Sequence, residues 1–341
     1  LANRPLWPHA AHVNRRNETY HNRNMLTVSP SPHIHCGRTV RTCMIHVVIA
    51  LIPAVAVALF YFGIGAAIVI SVSIGACIAT EWAITRFMLR RPSTISNGSA
   101  ALTGLLLALN LPSNLPWWTI IIGSVVAIAI GKMTFGGLGC NIFNPALVGR
   151  VFLLISYPAL MTTWPVPGEN VWRYTDAITG ATTLGELKQG LITPDAFDLT
   201  ANLVGGVGGS LGEVGAIALL LGFIYLMAMG VITWHIPVTI IATVAVFSLC
   251  SGAPVMLELL SGGLLLGAIF MATDYVTSPM NPRGMVVYGI LIGVVTMIIR
   301  LWGAYPEGMS FAILLGNAFT PLINRYCKPH KFGHERRKVA A

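Results

Sequence analysis

The chain has 341 residues; 55% are hydrophobic, only 10% are charged, and the mean hydropathy is +0.73. Soluble domains carry about 25% charged residues, so the composition argues against a water-soluble globule and for an all-α polytopic membrane protein. The net charge of +9 makes no case for nucleic acid, because the basic residues gather in tails and short loops beside apolar runs, as the positive-inside rule places them.

Residues 1–24 are polar and rich in Arg, Asn and His. They lack the apolar core of a signal peptide. Met25 begins a more ordinary start, so this leader reads as an extension. Ten apolar runs follow, at 43–62, 64–85, 98–111, 116–133, 143–160, 213–233, 236–251, 255–273, 284–301 and 308–325. The third ends at Asn110-Leu-Pro-Ser-Asn-Leu-Pro116 and the eighth at Thr273-Asp-Tyr-Val-Thr-Ser-Pro-Met-Asn-Pro282. Both therefore read as short or broken spans. Such backbone is tolerated at membrane depth only where protein or a cavity covers it.

With a cytoplasmic N-terminus and ten spans, all 21 basic residues except Arg173, Lys188 and Arg300 fall on the inner side. That asymmetry puts both termini in the cytoplasm. The expected division is a cytoplasmic segment 1–42, five helices in 43–160, an extracytoplasmic loop 161–212, five helices in 213–325 and a basic cytoplasmic tail 326–341. Trp117, Trp118, Trp164 and Trp172 then lie at or near the outer interface, where indoles anchor.

Two internal echoes link the halves. Asn141-Ile-Phe-Asn-Pro145 matches Asn317-Ala-Phe-Thr-Pro321, each with an Arg shortly after, and Gly104-Leu-Leu-Leu-Ala108 matches Gly263-Leu-Leu-Leu-Gly267. Two halves of five spans must run in opposite directions. The expected architecture is about ten transmembrane helices as two inverted five-helix repeats, which tend to place sites at their interface.

The long polar loop carries Asp176-Ala-Ile-Thr-Gly-Ala-Thr182. Thr and Gly are ordinary turn residues, which is the simplest account. The sharper one is a modification site: a threonine hydroxyl is a poor nucleophile unless activated, and a modifying enzyme that approaches closely past Gly180 and Ala181 can activate it. Asp176 would then help hold a metal or the hydroxyl. Thr183 is the nearest competitor, and Thr182 is preferred as the residue directly after Gly-Ala.

This motif resembles the signal read by bacterial flavin transferases. The wider chain, from about residue 25 to 327, resembles the D-type membrane component of Rnf ion-translocating ferredoxin:NAD oxidoreductase complexes. It is more distantly similar to the B-type component of the sodium-pumping NADH:quinone reductase. The resemblance is carried by Ser29-Pro-Ser-Pro-His33, Gly104-Leu-Leu-Leu-Ala-Leu109, Phe135-Gly-Gly-Leu-Gly-Cys-Asn-Ile-Phe-Asn-Pro-Ala146, Asp176 to Thr182, Met271-Ala-Thr-Asp274, Thr277-Ser-Pro279 and Phe311-Ala-Ile-Leu-Leu315. It implies FMN joined to Thr182 as a phosphoester, with Asp176, Thr179, Gly180 and Ala181 recognised by the transferase. It also implies a urea-transporter-like fold, a place in the bacterial inner membrane, and partner subunits carrying flavins and iron–sulfur clusters. A second, non-covalent flavin such as riboflavin is a further implication. An inverted-repeat channel or secondary transporter without redox chemistry stays open as an alternative, as does the quinone-reductase component.

Glu81, Arg150, Glu258, Asp274 and Arg300 lie in or at the ends of spans, where ionisable residues are functional candidates. For Glu258 and Arg300 an interfacial, snorkelling position is expected. Asp274 is the best candidate for an ion or proton path. Asn141 with Pro145, and Asn317 with Pro321, are expected to brace broken helices; the resemblance alone adds a second flavin pocket there. The six cysteines form no Cys-x-x-Cys pair, so their spacing gives no iron–sulfur or zinc site within this chain; one shared with another subunit stays open. Gly205-Gly-Val-Gly-Gly209 is a flexible entry to the sixth span, not a dinucleotide fingerprint. The chain is therefore not expected to bind NAD.

Overall fold

The computed structural model describes residues 39–90, 94–168, 171–175, 177–180, 182–188, 199–303, 305 and 307–328. The expectations for residues 1–38, for Asp176 and Ala181, and for the tail beyond 328 lie outside the described residues. Among the described residues the fold is helical, with one two-stranded ribbon.

The first two apolar runs form one helix, α1 (Val40–Ala83), extended by a π turn at Ile84–Met88. A straight helix of 44 residues would run about 66 Å, twice the hydrocarbon core of a bilayer. Gly63 divides it, with φ 51° and ψ −123°, a conformation costly for any residue with a Cβ. The arm before Gly63 packs against α8 (Ala216–Ala228). His46 Nδ1 and Tyr225 Oη are 2.8 Å apart, Ala50 meets Gly222, and Val57 meets Gly215. The numbering rises on one helix as it falls on the other, so the two are antiparallel.

The arm after Gly63 lies against α2 (Ser99–Leu109) and α3 (Trp117–Ile128, with a π turn to Met133). Gly104 of α2 lets the backbone at Ser73 and Ile74 approach; an added Cβ would come within 2.7 Å of the Ile74 Cα. α4 (Pro145–Ser156) begins with the Asn144 side chain accepting from Ala146 N and with Pro145 in the first turn, a favoured N-terminal pairing. It runs back along α3, with Pro145 beside Gly131 and Leu153 beside Gly123.

In the second half, α9 (His235–Ser251) runs parallel to α12 (Pro282–Trp302), with Thr239 on Gly289 and Thr243 on Gly293. α13 (Met309–Tyr326) returns antiparallel along α12, from Gly308 beside Ile299 to Ile323 beside Gly284. Between α9 and α12 the chain breaks into α10 (Val255–Leu260) and α11 (Leu264–Leu266), the latter prolonged by a π turn Gly267–Met271. The break is at Gly262 and Gly263, with φ 70° and 64°. The expected eighth span is thus two short pieces.

α2 and α11 are the short elements at the centre, and each is capped by the other half of the chain. Gly212 N donates to Leu109 O (2.6 Å) and Leu211 N to Leu111 O (3.2 Å) at the end of α2. Asn144 Nδ2 donates to Met271 O (3.2 Å) at the end of α11. The two ends meet where Asn110 Nδ2 contacts Met271 Sδ at 3.5 Å. Helix-end carbonyls without such partners are costly to bury.

The second Asn-x-Phe-x-Pro copy behaves differently from the first. The first precedes and opens α4, whereas Asn317 and Pro321 lie inside the continuous α13. Pro321 therefore braces no broken helix, because none is broken there. By length and apolarity, Val40–Met88 and Pro282–Trp302 are each able to cross a membrane. Shorter apolar helices accompany them at Ser99–Leu109, Trp117–Met133, Pro145–Ser156, Ala216–Ala228 and His235–Ser251.

Candidate functional site

The polar loop folds over the end of the bundle that holds Gly63. After α5 (Pro158–Met161), β1 (Trp164–Pro165) pairs antiparallel with β2 (Thr179–Gly180), Trp164 opposite Gly180. The ribbon is extended by Val166 N donating to Ile178 O at 2.9 Å. The loop is tied down by Ile64 N donating to Val171 O (2.9 Å) and Gly168 N to Tyr61 O (3.0 Å). Tyr174 Oη also donates to Leu115 O. Burial raises the Tyr174 phenol above its ordinary value, so it stays a neutral donor.

Thr182 heads α6 (Thr183–Lys188). Its Oγ1 accepts from Gly185 N at 3.1 Å and its carbonyl from Glu186 N at 2.8 Å, the role a threonine plays ahead of a helix. It is only 4% exposed, whereas Thr179 and Gly180 are exposed. α6 is docked at two points. Thr183 Oγ1 lies 3.2 Å from Ser261 Oγ. Lys188 Nζ donates to the carbonyls of Arg300 (3.2 Å), Gly303 and Tyr305 (3.4 Å), a favourable place for a cation at the end of α12. Of the aromatic residues near in sequence, Trp164 is buried and Trp172 is 83% exposed.

Among the described residues, three buried ion pairs lock the bundle. Lys132 Nζ pairs with Glu81 at 2.5 Å and donates to Ser99 Oγ at 2.7 Å, while Thr94 donates to the other Glu81 oxygen. Arg300 pairs with Glu258 at 2.7 Å and donates to the carbonyls of Ser261 and Gly262. Arg150 of α4 reaches Glu307 and Ser310, which precede and open α13. Glu258 and Arg300 thus do not snorkel. Their side chains are 4% and 2% exposed, because each neutralises the other and the guanidinium caps the Gly262 break.

Asp274, Asn141 and Pro145 come together around a cavity of about 90 Å³, with Asn144, Thr103 and Lys132 also in its wall. The Asp274 carboxylate accepts from Thr277 Oγ1 at 3.3 Å, and Asn141, whose Nδ2 donates to Phe143 O at 3.0 Å, lines the same cavity. Asn317 stands behind this wall. Its amide is satisfied on both sides with nitrogen toward Ile313 O (3.3 Å) and Tyr288 Oη (2.6 Å), and oxygen toward Asn144 N (3.1 Å). Pro321 is exposed on α13 and takes no part.

Sequence reasoning did not single out Glu213 or Glu307. Glu213 accepts from Gly262 N and from Ser210 N (3.3 Å) and Oγ (3.4 Å). The available signal was an acid at the very start of an apolar run and another in the short connection before the last one.

The family described as "NQR2, RnfD, RnfE family" matches residues 27–333. The chain is 46% identical over 319 residues to the D component of the Na(+)-translocating ferredoxin:NAD(+) oxidoreductase complex of Acetobacterium woodii, covering 93% of this chain and 98% of that one. It is 42% identical to the D component of the proton-translocating ferredoxin:NAD(+) oxidoreductase complex of Clostridium ljungdahlii, covering 92% and 98%. It is 36% identical to the D component of the ion-translocating oxidoreductase complex of Yersinia enterocolitica, covering 91% and 99%. A match over nearly all of the described bundle and its connecting loop, with relatives this similar along their whole lengths, means that the chain belongs to the NQR2, RnfD, RnfE family.

Proposed function

We propose that this chain is a membrane subunit of an ion-translocating ferredoxin:NAD oxidoreductase complex, carrying FMN as a phosphoester on Thr182 and coupling electron passage to sodium or proton movement. The observation that carries this reading is the seating of Thr182. Its hydroxyl heads a helix clamped onto α10 and α12 by Thr183 and Lys188. A group attached there is held at a fixed place against the bundle. The chemistry fits a phosphoester: the hydroxyl already accepts a backbone N–H at 3.1 Å, and a phosphate oxygen accepts such donors more strongly. Its burial requires that the exposed Thr179–Gly180 strand, held by its short pairing with β1 and the Val166–Ile178 bond beside it, lift while a transferase acts.

When bound, FMN supplies acceptance and release of single electrons. The chain's own part is to anchor it through Thr182, to fix the anchor through Thr183, Ser261 and Lys188, and to hold the loop through Tyr174 and Val171. The ring would take its contacts from partner subunits and from the exposed Trp172. Flavin- and iron–sulfur-carrying subunits are the partners this role calls for, to bring electrons to a flavin on Thr182 and to take them away.

The reciprocal capping of α2 and α11 and the opposite directions of corresponding helices support ten crossings arranged as two inverted repeats, with a resemblance to urea-transporter architecture. The charge distribution supports cytoplasmic termini in an inner membrane and a Thr182 loop on the far side. Asp274 and Asn141 line a cavity whose volume of about 90 Å³ suits a hydrated ion. Small-molecule pockets measure roughly 300–1,000 Å³, so riboflavin there needs the cavity to widen. The ion-path reading of Asp274 is therefore the stronger.

The chain co-produced with a flavin transferase should give a fluorescent band that survives denaturing electrophoresis. The Thr182→Val variant should lose it and Thr183→Val should keep it. A band retained in Thr182→Val overturns the attachment site. For the ion path, Asp274→Asn should impair electron-driven ion uptake by vesicles holding the complex while leaving the band intact; wild-type uptake removes Asp274 from the path.

A further inference from the structure

We propose that Glu213 is the centre of a second cation site, at the loop end of the bundle beside the Thr182 helix, which takes one small monovalent cation. The proposal rests on the functional reading above only for its role, as the far-side station of the translocated ion.

The geometry comes from four elements. Glu213 lies in the segment that caps α2, Thr183 opens α6, Ser261 stands at the break between α10 and α11, and Asn202 belongs to α7 (Leu199–Val204). All four line one cavity of about 10 Å³, together with Gly205 and Gly208. That is about the room of a single water-sized sphere. Its wall offers a carboxylate, two hydroxyls and an amide, and oxygen donors of this kind suit a hard cation.

The charge balance points the same way. Among the described residues, Glu258 is neutralised by Arg300 and Glu307 by Arg150, but no lysine or arginine pairs with Glu213. It lies within electrostatic reach of both Glu307 and Arg150. Glu307 is 7% exposed, and its Oε1 has no hydrogen-bond partner. Two carboxylates therefore face one arginine, and a bound cation would give Glu213 the counter-charge that no basic side chain among the described residues supplies.

The position gives the site a use. Thr183, in its wall, follows the residue proposed to carry the flavin. An electron arriving on a group at Thr182 makes the surroundings more negative and tightens the hold on the cation, and by linkage the cation favours the arrival of the electron.

The test is equilibrium binding of 22Na+ to the purified complex without turnover, at several pH values, produced with and without the flavin transferase. The site predicts one sodium beyond those that survive in Glu213→Gln, with Glu213→Gln weakening binding at least tenfold. The glutamine keeps an oxygen for Gly262 N, so assembly should persist. Should it fail, Glu213→Asp serves, and is expected to bind with altered affinity. Sodium binding that is unchanged in the variants overturns the proposal. Binding without the transferase equal to binding with it keeps the site even if the flavin assignment fails; wild-type complex that moves no ion during electron transfer removes the role and leaves the site.

Discussion

Arg300 gives one guanidinium nitrogen to Glu258 and the other to the carbonyls of Ser261 and Gly262. One side chain thus neutralises a buried acid and satisfies a helix break. Removing one partner of such a pair leaves an uncompensated charge and costs about 3–5 kcal/mol, whereas replacing both by apolar groups is often tolerated. Arg300→Met should therefore destabilise the detergent-solubilised chain by about that amount in thermal unfolding, and the double variant with Glu258→Leu should recover part of the loss. Equal melting of the single variant and wild type would mean the pair is solvated. These two residues were legible in the sequence only as ionisable positions near span ends. Their pairing was not, because Glu258 and Arg300 are 42 residues apart and meet only because α9 packs along α12 and brings the α10 that follows it to the end of α12. Thr182 was legible as a hydroxyl in a distinctive motif, but the docking of the helix it heads depends on Ser261 and Arg300, which the motif does not contain.

Among the elements, α1 illustrates what a hydropathy pattern can and cannot give. Two apolar runs separated by a single glycine were readable, and Gly63 does divide the helix. Beside its positive φ, a second reason it must be glycine lies elsewhere in the chain: an added Cβ would sit 2.1 Å from the Val171 carbonyl. Gly63→Val should release the loop at that contact and raise its protease sensitivity while leaving the helices intact; unchanged cleavage would remove Val171 as an anchor. At Gly222 an added Cβ would fall 2.4 Å from the Ala50 carbonyl, so Gly222→Leu should push α8 from the first arm of α1, at about 1–3 kcal/mol for overpacking. The short third and eighth runs were readable from their Asn- and Pro-rich ends. The repeat of Asn-x-Phe-x-Pro misled on local structure, because Pro145 opens a helix while Pro321 sits inside one. Proline is tolerated at the first turn and also, at a cost, within a packed helix, so the pattern alone does not decide.

On the scale of the whole molecule, the two halves bury each other's helix ends. Residues 211 and 212 cap α2, Asn144 caps α11, and Arg150 crosses to Glu307 and Ser310. This leaves Asp274 with Asn141 on one side of the junction and Glu213 on the other, with the apolar ends of α2 and α11 between them. Relatives named for sodium and for protons share this family. The fold alone therefore does not distinguish the two ions. The central claim, however, is covalent chemistry at one hydroxyl, and intact mass of the purified chain under denaturing conditions reads it directly. Wild type matured with a flavin transferase should carry the mass of one FMN less one water, absent from Thr182→Val. A wild-type chain at its unmodified mass, or the same added mass in Thr182→Val, would contradict the account.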